Sequence, residues 1–481
     1  MQRKRLLAIG TAGMALCALS CPVSAQDIVA NTALQSQAVT DLPEPVASPL
    51  DIDFADDPVL GLANTTAEEE TFRAIVVSAL EDSPSTREYE ALEAAAAARV
   101  DEARNAAYFP TLDLNVSNFN TIDRRFTNDP QLLVERSRAR NRTDLTLQLV
   151  QPIFDFGGAI AGTRAAAARL RAAGFQREAR AGEVAGDVII AWTRVFGYQS
   201  LERLYEGFLA AQDGLDEAID RRIAQGVSAE GDRARVASLK AQGAVQLAQA
   251  RRQLSGAEAR FEQLSGFAPP DRLMRPPLLD PRRITPDMAR LASQDTPEVQ
   301  SYEALAEARR QDARQADARK LPNVTGRLDY GRYGLLENQD AYDLRATFNL
   351  TWRFFGSGVW ARARAADADA DAAIAVADRV REEAARDALI ALSDVEALEA
   401  EVAALDEAYR ASRQSRDIVV ARFGALRGSL FDVADAQSVY LNAASSYIRS
   451  LAELDAARYI LILRTGRMTE LLNIQDTEIP L

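Results

Sequence analysis

Beyond residue 25 the chain contains no cysteine, and it contains no histidine at all. Cys17 and Cys21 are the only cysteines, and both lie in the N-terminal leader. The exported chain therefore forms no disulfide. Cysteine and histidine nucleophiles, histidine general bases and Cys/His zinc sites are excluded with them. No Gly-rich phosphate loop is present, and the many Asp/Glu pairs are of the kind that charged helix surfaces produce for solubility. An enzyme is not expected, and neither a cofactor nor a metal is implied. After the leader there is no run of about 18 apolar residues, which excludes a transmembrane helix. Positive charge is also short. The formal net charge is −14, and loss of Arg3, Lys4 and Arg5 with the leader takes it down by three, to −17. An acidic chain without a basic stripe is a poor nucleic-acid binder.

The leader is "MQRKRLLAIGTAGMALCALSCPVSA", residues 1–25. A basic start, an apolar stretch from Leu6 and a small-x-small ending at Val23-Ser24-Ala25 form a signal peptide, with cleavage expected after Ala25. The alternative is a lipoprotein modified at Cys21, which Ala18 three residues before it and Pro22 after it fit poorly. Residues 26–66 are rich in Asp, Pro and Ala without a period, and a flexible N-terminal segment is expected there.

What is abundant is alanine and arginine, both strong helix formers. The chain is also built twice. "YEAL" occurs at Tyr89–Leu92 and again at Tyr302–Leu305, each after a small residue and a proline, Ser83-Pro84 and Thr296-Pro297. Each opens a helical run that ends at a proline, Pro110 or Pro322. Two alternating segments follow, then a long helical pattern, a break and a last helix. Pro152 aligns with Arg353, Gly157 with Gly358, and Asp232 with Asp432. Like features in the same order make this an internal tandem repeat. The expected organisation is repeat one over 67–268, a Pro-rich extended linker over 269–286, repeat two over 287–472 and a C-terminal tail over 473–481.

The alternating segments read as strands. In "LRATFNLTWRFF", Leu344, Ala346, Phe348, Leu350, Trp352 and Phe354 point one way, and Arg345, Thr347, Asn349, Thr351 and Arg353 the other. Leu145, Leu147, Leu149 and Ile153 repeat the pattern, as do Leu112, Leu114 and Val116. Val324, Leu328 and Tyr330 carry it most faintly. Aromatics cluster near the strand ends. An outer-membrane barrel strand has this signature, and so does a half-buried sheet on a soluble domain.

Gly157–Gly226 and Gly358–Leu426 hold no proline and no turn cluster. At about 1.5 Å per residue each could reach about 100 Å, the length of a coiled coil or helical barrel. Leu392, Val395, Leu398, Val402, Leu405 and Tyr409 follow coiled-coil spacing. Shorter helices over about 70–108 and 230–265 could stack end to end against a long one. Four strands cannot close a barrel, for which about eight is the minimum, so a barrel requires further copies of the chain.

Two stretches carry a family resemblance. "LVQPIFDFGG" looks like a strand-to-helix turn, with Pro152 and Gly157 in copy one and Gly358 in copy two. "SLFDVADAQSVYLNAASSYIRSLAELDAARYILILRTG" looks like a last long helix. From about Ala67 to Leu472 the chain resembles the TolC family of outer-membrane efflux proteins, in its type I secretion-like branch. The resemblance implies a mainly α fold with β. It also implies a homotrimer sharing a twelve-stranded transmembrane β-barrel that continues into a long α-helical coiled-coil barrel in the periplasm. The implied function is an outer-membrane channel-tunnel. It would pass proteins or small molecules from an inner-membrane ABC or RND transporter, through a periplasmic adaptor (membrane fusion protein), to the exterior. Outer-membrane lipid is the other implied partner.

The resemblance also implies a gate. Asp432 and Asp435 match two aspartates that form rings at the periplasmic constriction. Their spacing of three puts both on one helix face, and such rings favour cations. On residue type alone they read as solvated acids in the first turns of a helix. Asp232 matches an aspartate that pairs with a tyrosine and an arginine of the neighbouring coil. Here Phe423 holds the tyrosine position and Gly428 the arginine position, with Arg427 beside it. Leu426 replaces a glycine common at this turn. Arg422 or Arg427 is the expected substitute in the lock. The tips at 222–233 and 422–433, with Arg222, Gly226 and Gly428, are expected to face the adaptor. The alternative of another class is a soluble periplasmic coiled-coil structural or adaptor protein whose strands form a small sandwich.

Overall fold

The computed structural model describes residues 42–46, 48–124, 138–278, 283–337, 341–353, 358–425 and 427–472. The leader with Cys17 and Cys21, residues 26–41, Phe354, Leu426 and the 473–481 tail lie outside them.

The repeat is plain in the order of elements. Copy one runs α1 (Glu69–Asp82), α2 (Pro84–Tyr108), β1 (Thr111–Asn120), β2 (Asn141–Phe154), α3 (Gly158–Ala224) and α4 (Glu230–Ser265). Copy two runs α5 (Pro286–Ser293), α6 (Pro297–Ala318), β3 (Asn323–Tyr333), β4 (Ala341–Thr351), α7 (Val359–Gly424) and α8 (Leu430–Arg464), and a short α9 (Met468–Leu471) follows. The run expected as one helix from about 70 to 108 is two, because Pro84 lacks an N–H and takes the first position of α2.

The four strands form one antiparallel sheet in the order β1-β2-β3-β4. Directly paired residues share a face. Leu112, Leu149, Leu328 and Ala346 make one apolar row, and Leu114, Leu147, Tyr330 and Leu344 the next. Asp113, Gln148, Asp329 and Arg345 make a polar row on the other face. The apolar face is left open: Phe348 is 78% exposed, and Leu112, Leu114, Val116, Leu344 and Leu350 are exposed with it. A sandwich would bury this face, so the small-sandwich alternative is corrected. The outer edges of β1 and β4 have no partner among the described residues.

The turns from sheet to long helix are built alike. Gly157 and Gly358 precede α3 and α7 in the left-handed region, φ 86° and 67°, where a Cβ is penalised. In copy one Asp155 supports the turn, its carboxylate accepting from the Gly157 N–H at 3.2 Å and the Ala159 N–H at 2.5 Å. Beside Pro152, which has no N–H to donate, the β2–β3 register shifts.

The two long helices span 67 and 66 residues, about 100 Å each. α2 and α4 both pack on α3, α6 packs on both α3 and α7, and α8 packs on α7 and α3. The coiled-coil positions Leu392, Val395 and Tyr409 are buried, and Leu398, Val402 and Leu405 pack against them or their neighbours. No described helix is long and apolar enough to cross a membrane.

The largest core lies midway along the helices. Phe72 meets Trp192 edge-on, with ring centres 5.2 Å apart, and Tyr459 at 5.8 Å. The Trp192 indole donates to the Met274 carbonyl at 2.8 Å. The linker is thus part of the core and more than an extended connector. Leu273 is buried, and Arg275 makes a two-pronged ion pair with Asp455 at 2.5 and 2.7 Å. Of the flexible segment expected at 26–66, the described part lies against the helices. Val59, Leu60 and Leu62 are buried in the same core, Leu60–Ala63 forms a 3-10 turn, and Asp57 is buried on α7. A stretch this short buries three apolar side chains without showing any period.

Candidate functional site

The α3–α4 and α7–α8 turns lie at the end of the helices remote from the sheet. α3 ends at Ala224, and Gly226 just beyond it sits at φ 75°. The Gly226 N–H donates to the Ile223 carbonyl at 2.9 Å and the Val227 N–H to the Arg222 carbonyl at 3.0 Å, closing the helix end. In copy two the Arg427 N–H donates to the Arg422 carbonyl at 2.9 Å in the same way. Ser429 then caps α8, its hydroxyl accepting from the Phe431 N–H at 3.0 Å. Gly428 lies so close to α7 that a Cβ there would be 3.3 Å from the Phe423 backbone.

The two tips are joined by one side chain. Arg222 stacks its guanidinium on the Phe423 ring, 4.3 Å from the centre, and donates to the Phe423 carbonyl at 3.0 Å. It also donates to the Ser228 hydroxyl at 3.3 Å. Phe423 is buried against Ile219, Val236, Leu430 and Val433, so residues of both turns share one small apolar cluster. A second cross-contact lies beside it, with Arg235 of α4 at 4.8 Å over the exposed Phe431 ring of α8. Further along, Gln212 donates to Gln437 at 2.9 Å.

Asp432 and Asp435 sit on the first turns of α8 and are exposed. Neither accepts a side-chain hydrogen bond or ion pair among the described residues. Asp232 behaves differently: its carboxylate accepts from the Ala229 N–H at 3.1 Å and so caps its own helix. It does not meet Phe423, Arg422 or Arg427, so the lock expected through it is not formed within the chain. Arg422 and Arg427 are exposed and make no ion pair among the described residues. The arginine that reaches Phe423 is Arg222, which sequence reasoning had placed on the adaptor-facing surface. Its one sequence signal is that it recurs as Arg422 at the same place in copy two.

The sequence model of the outer membrane efflux protein family matches residues 75–267 and 288–467, one match in each repeat. No curated protein sequence matches the chain significantly. Among solved structures, the outer-membrane channel OprN is similar over 90% of this chain and 96% of its own, with TM-score 0.73 and 20% identity. The outer membrane protein VceC from Vibrio cholerae covers 84% of this chain and 97% of its own, with TM-score 0.73 and 18% identity. The CmeC outer membrane channel of Campylobacter jejuni covers 87% and 92%, with TM-score 0.73 and 15% identity. These likenesses concern the fold, while the family match spans most of the chain and falls on both repeats. The chain belongs to the outer membrane efflux protein family.

Proposed function

We propose that three copies of this chain form a channel-tunnel in the outer membrane that serves as the exit duct of a tripartite export system. The sheet carries the reading. One face of it carries open apolar rows, its outer edges have no partner among the described residues, and its strands feed directly into helices about 100 Å long. Lipid tolerates no unpaired strand edge, so β1 of one copy must pair with β4 of the next until the sheet closes. Three chains supply twelve strands, above the roughly eight at which a barrel closes. The apolar rows then face lipid, and the Asp113–Gln148–Asp329–Arg345 row faces the lumen. The long helices continue the wall into the periplasm.

At the far end Asp432 and Asp435 form two carboxylate rings that favour cations. The Arg222–Phe423 contact holds the two tips of each chain together. The turns at 222–233 and 422–433 are the surface offered to a periplasmic adaptor, and an inner-membrane ABC or RND transporter selects the cargo, protein or small molecule.

Native mass measurement of the detergent-extracted mature protein tests the assembly. A three-chain mass is expected. A two- or four-chain mass would give eight or sixteen strands and contradict it.

A further inference from the structure

Residues 42–46 and 48–66 run over the helices in a way that the tip contacts do not explain. At one end the Ala67 N–H donates to the Arg275 carbonyl at 2.8 Å, and Arg275 donates to the Ala63 carbonyl at 2.7 Å. From there the segment runs along the tip-side half of α7. Asp57 is buried, and its carboxylate accepts from the Val59 N–H at 2.8 Å and the Leu60 N–H at 3.0 Å. It also accepts from the Tyr409 hydroxyl at 2.9 Å and pairs with Arg413 of α7. The Tyr409 hydroxyl lies 3.1 Å from that of Tyr440, which brings α8 into the same cluster. The Phe54 ring lies beneath Arg410 and Arg413, at 4.9 and 5.4 Å. Nearer the tip, the Val46 N–H donates at 3.4 Å to Asp417, a fully buried carboxylate paired with Arg416 at 2.6 Å. Leu42 then rests on α3, where a Cβ placed on Gly207 would lie 3.3 Å from its own Cβ. The segment therefore touches α7 of copy two and α3 of copy one, and reaches α8 through Tyr409.

Its chemistry is unusual for a packing element. Asp57, Arg413, Arg416 and Asp417 are all buried. Burying ions costs about as much desolvation as their attraction returns, so such a cluster fixes a register better than it adds stability. The network is also incompletely satisfied, since Arg413 Nε is buried without a hydrogen bond among the described residues. A partly satisfied buried network is a weak point at which packed elements separate.

We propose that residues 42–46 and 48–66 act as a releasable strap that holds the α7–α8 hairpin against α3 and thereby restrains opening of the tips. This rests on the channel reading above. Swinging α7–α8 away from α3 pulls the strap between Asp57 and Leu42, so the open state requires the Asp57 cluster to part.

The test is planar-bilayer conductance of the full mature protein with two changes. Asp57→Asn keeps the side-chain shape and leaves Arg413 buried without its charge partner. It is expected to raise conductance on the order of tenfold, because breaking one member of a buried pair weighs heavily against the paired state. Limited proteolysis should then cut the strap in this variant while the helices stay protected. Leu42→Cys with Gly207→Cys does the opposite. The Cβ separation approaches the roughly 3.8 Å of a disulfide, and the mature chain holds no competing cysteine. Conductance should fall on oxidation and return on reduction. If Asp57→Asn fails to assemble, the disulfide pair decides alone. A wild type that conducts, with variants that conduct equally in every redox state, overturns the strap and leaves the channel standing. A wild type that never conducts overturns both.

Discussion

Arg222 of the first repeat covers the ring of Phe423 in the second at 4.3 Å and donates to its carbonyl oxygen at 3.0 Å. One cation thus contacts a π face and a helix-end acceptor across two turns that are far apart in sequence. A cation–π contact is worth about 0.5–2 kcal/mol, and a charge-assisted hydrogen bond about 1.5–3 kcal/mol. Arg222→Ala is expected to shift the tips toward the open form roughly tenfold, read as higher bilayer conductance. Arg222→Lys should fall between, because lysine keeps the charge and loses the planar stack. Equal conductance in all three would remove the contact from the gate.

Asp432 and Asp435 are exposed, with no partner among the described residues, so neutralising them leaves no buried orphan. Asp432→Asn with Asp435→Asn should fold and melt like the parent, within about 0.5 kcal/mol. The same variant should lose cation preference and block by divalent ions, measured as reversal potential across a salt gradient. Unchanged selectivity would place the selecting charges elsewhere.

Arg275 ties the linker to α8 through Asp455, with both side chains nearly buried. Burial pushes the Asp455 carboxyl up, against the opposing pull of Arg275. Asp455→Ala strands the Arg275 guanidinium in the core and should cost about 3–5 kcal/mol, seen as a lower melting temperature of the extracted protein. Replacing both residues with apolar ones of similar volume should recover much of that loss.

Burial pushes the Tyr440 hydroxyl up to about 12 and raises that of Tyr409 as well. An unfolded tyrosine ionises near about 10. The folded state therefore favours the neutral phenols. Their contribution is complete below about pH 10 and is lost as pH climbs through the folded values. Melting temperature should decline from pH ~10 upward, and Tyr409→Phe with Tyr440→Phe should flatten that decline.

The sequence made the local features legible. Alternation from Leu344 to Trp352 is a strand because successive side chains point to opposite faces. Gly157 and Gly358 mark the strand-to-helix turns because a left-handed residue is needed there. The unbroken runs after them give the helix lengths. Contacts set by tertiary structure were not legible. Asp57 meets Arg413 across more than three hundred residues, and Arg222 meets Phe423 across about two hundred. Neither pair has a spacing that any helix or strand period would show. Asp232 shows the same limit: its residue type suits both a helix cap and a gate, and within the chain its carboxylate caps its own helix.

The most direct test of the channel is planar-bilayer recording from the mature protein. Extraction requiring detergent, followed by discrete, cation-preferring conductance steps, is the predicted result. A protein released without detergent that gives no conductance would mean that the apolar face of the sheet never meets lipid, and would contradict the account.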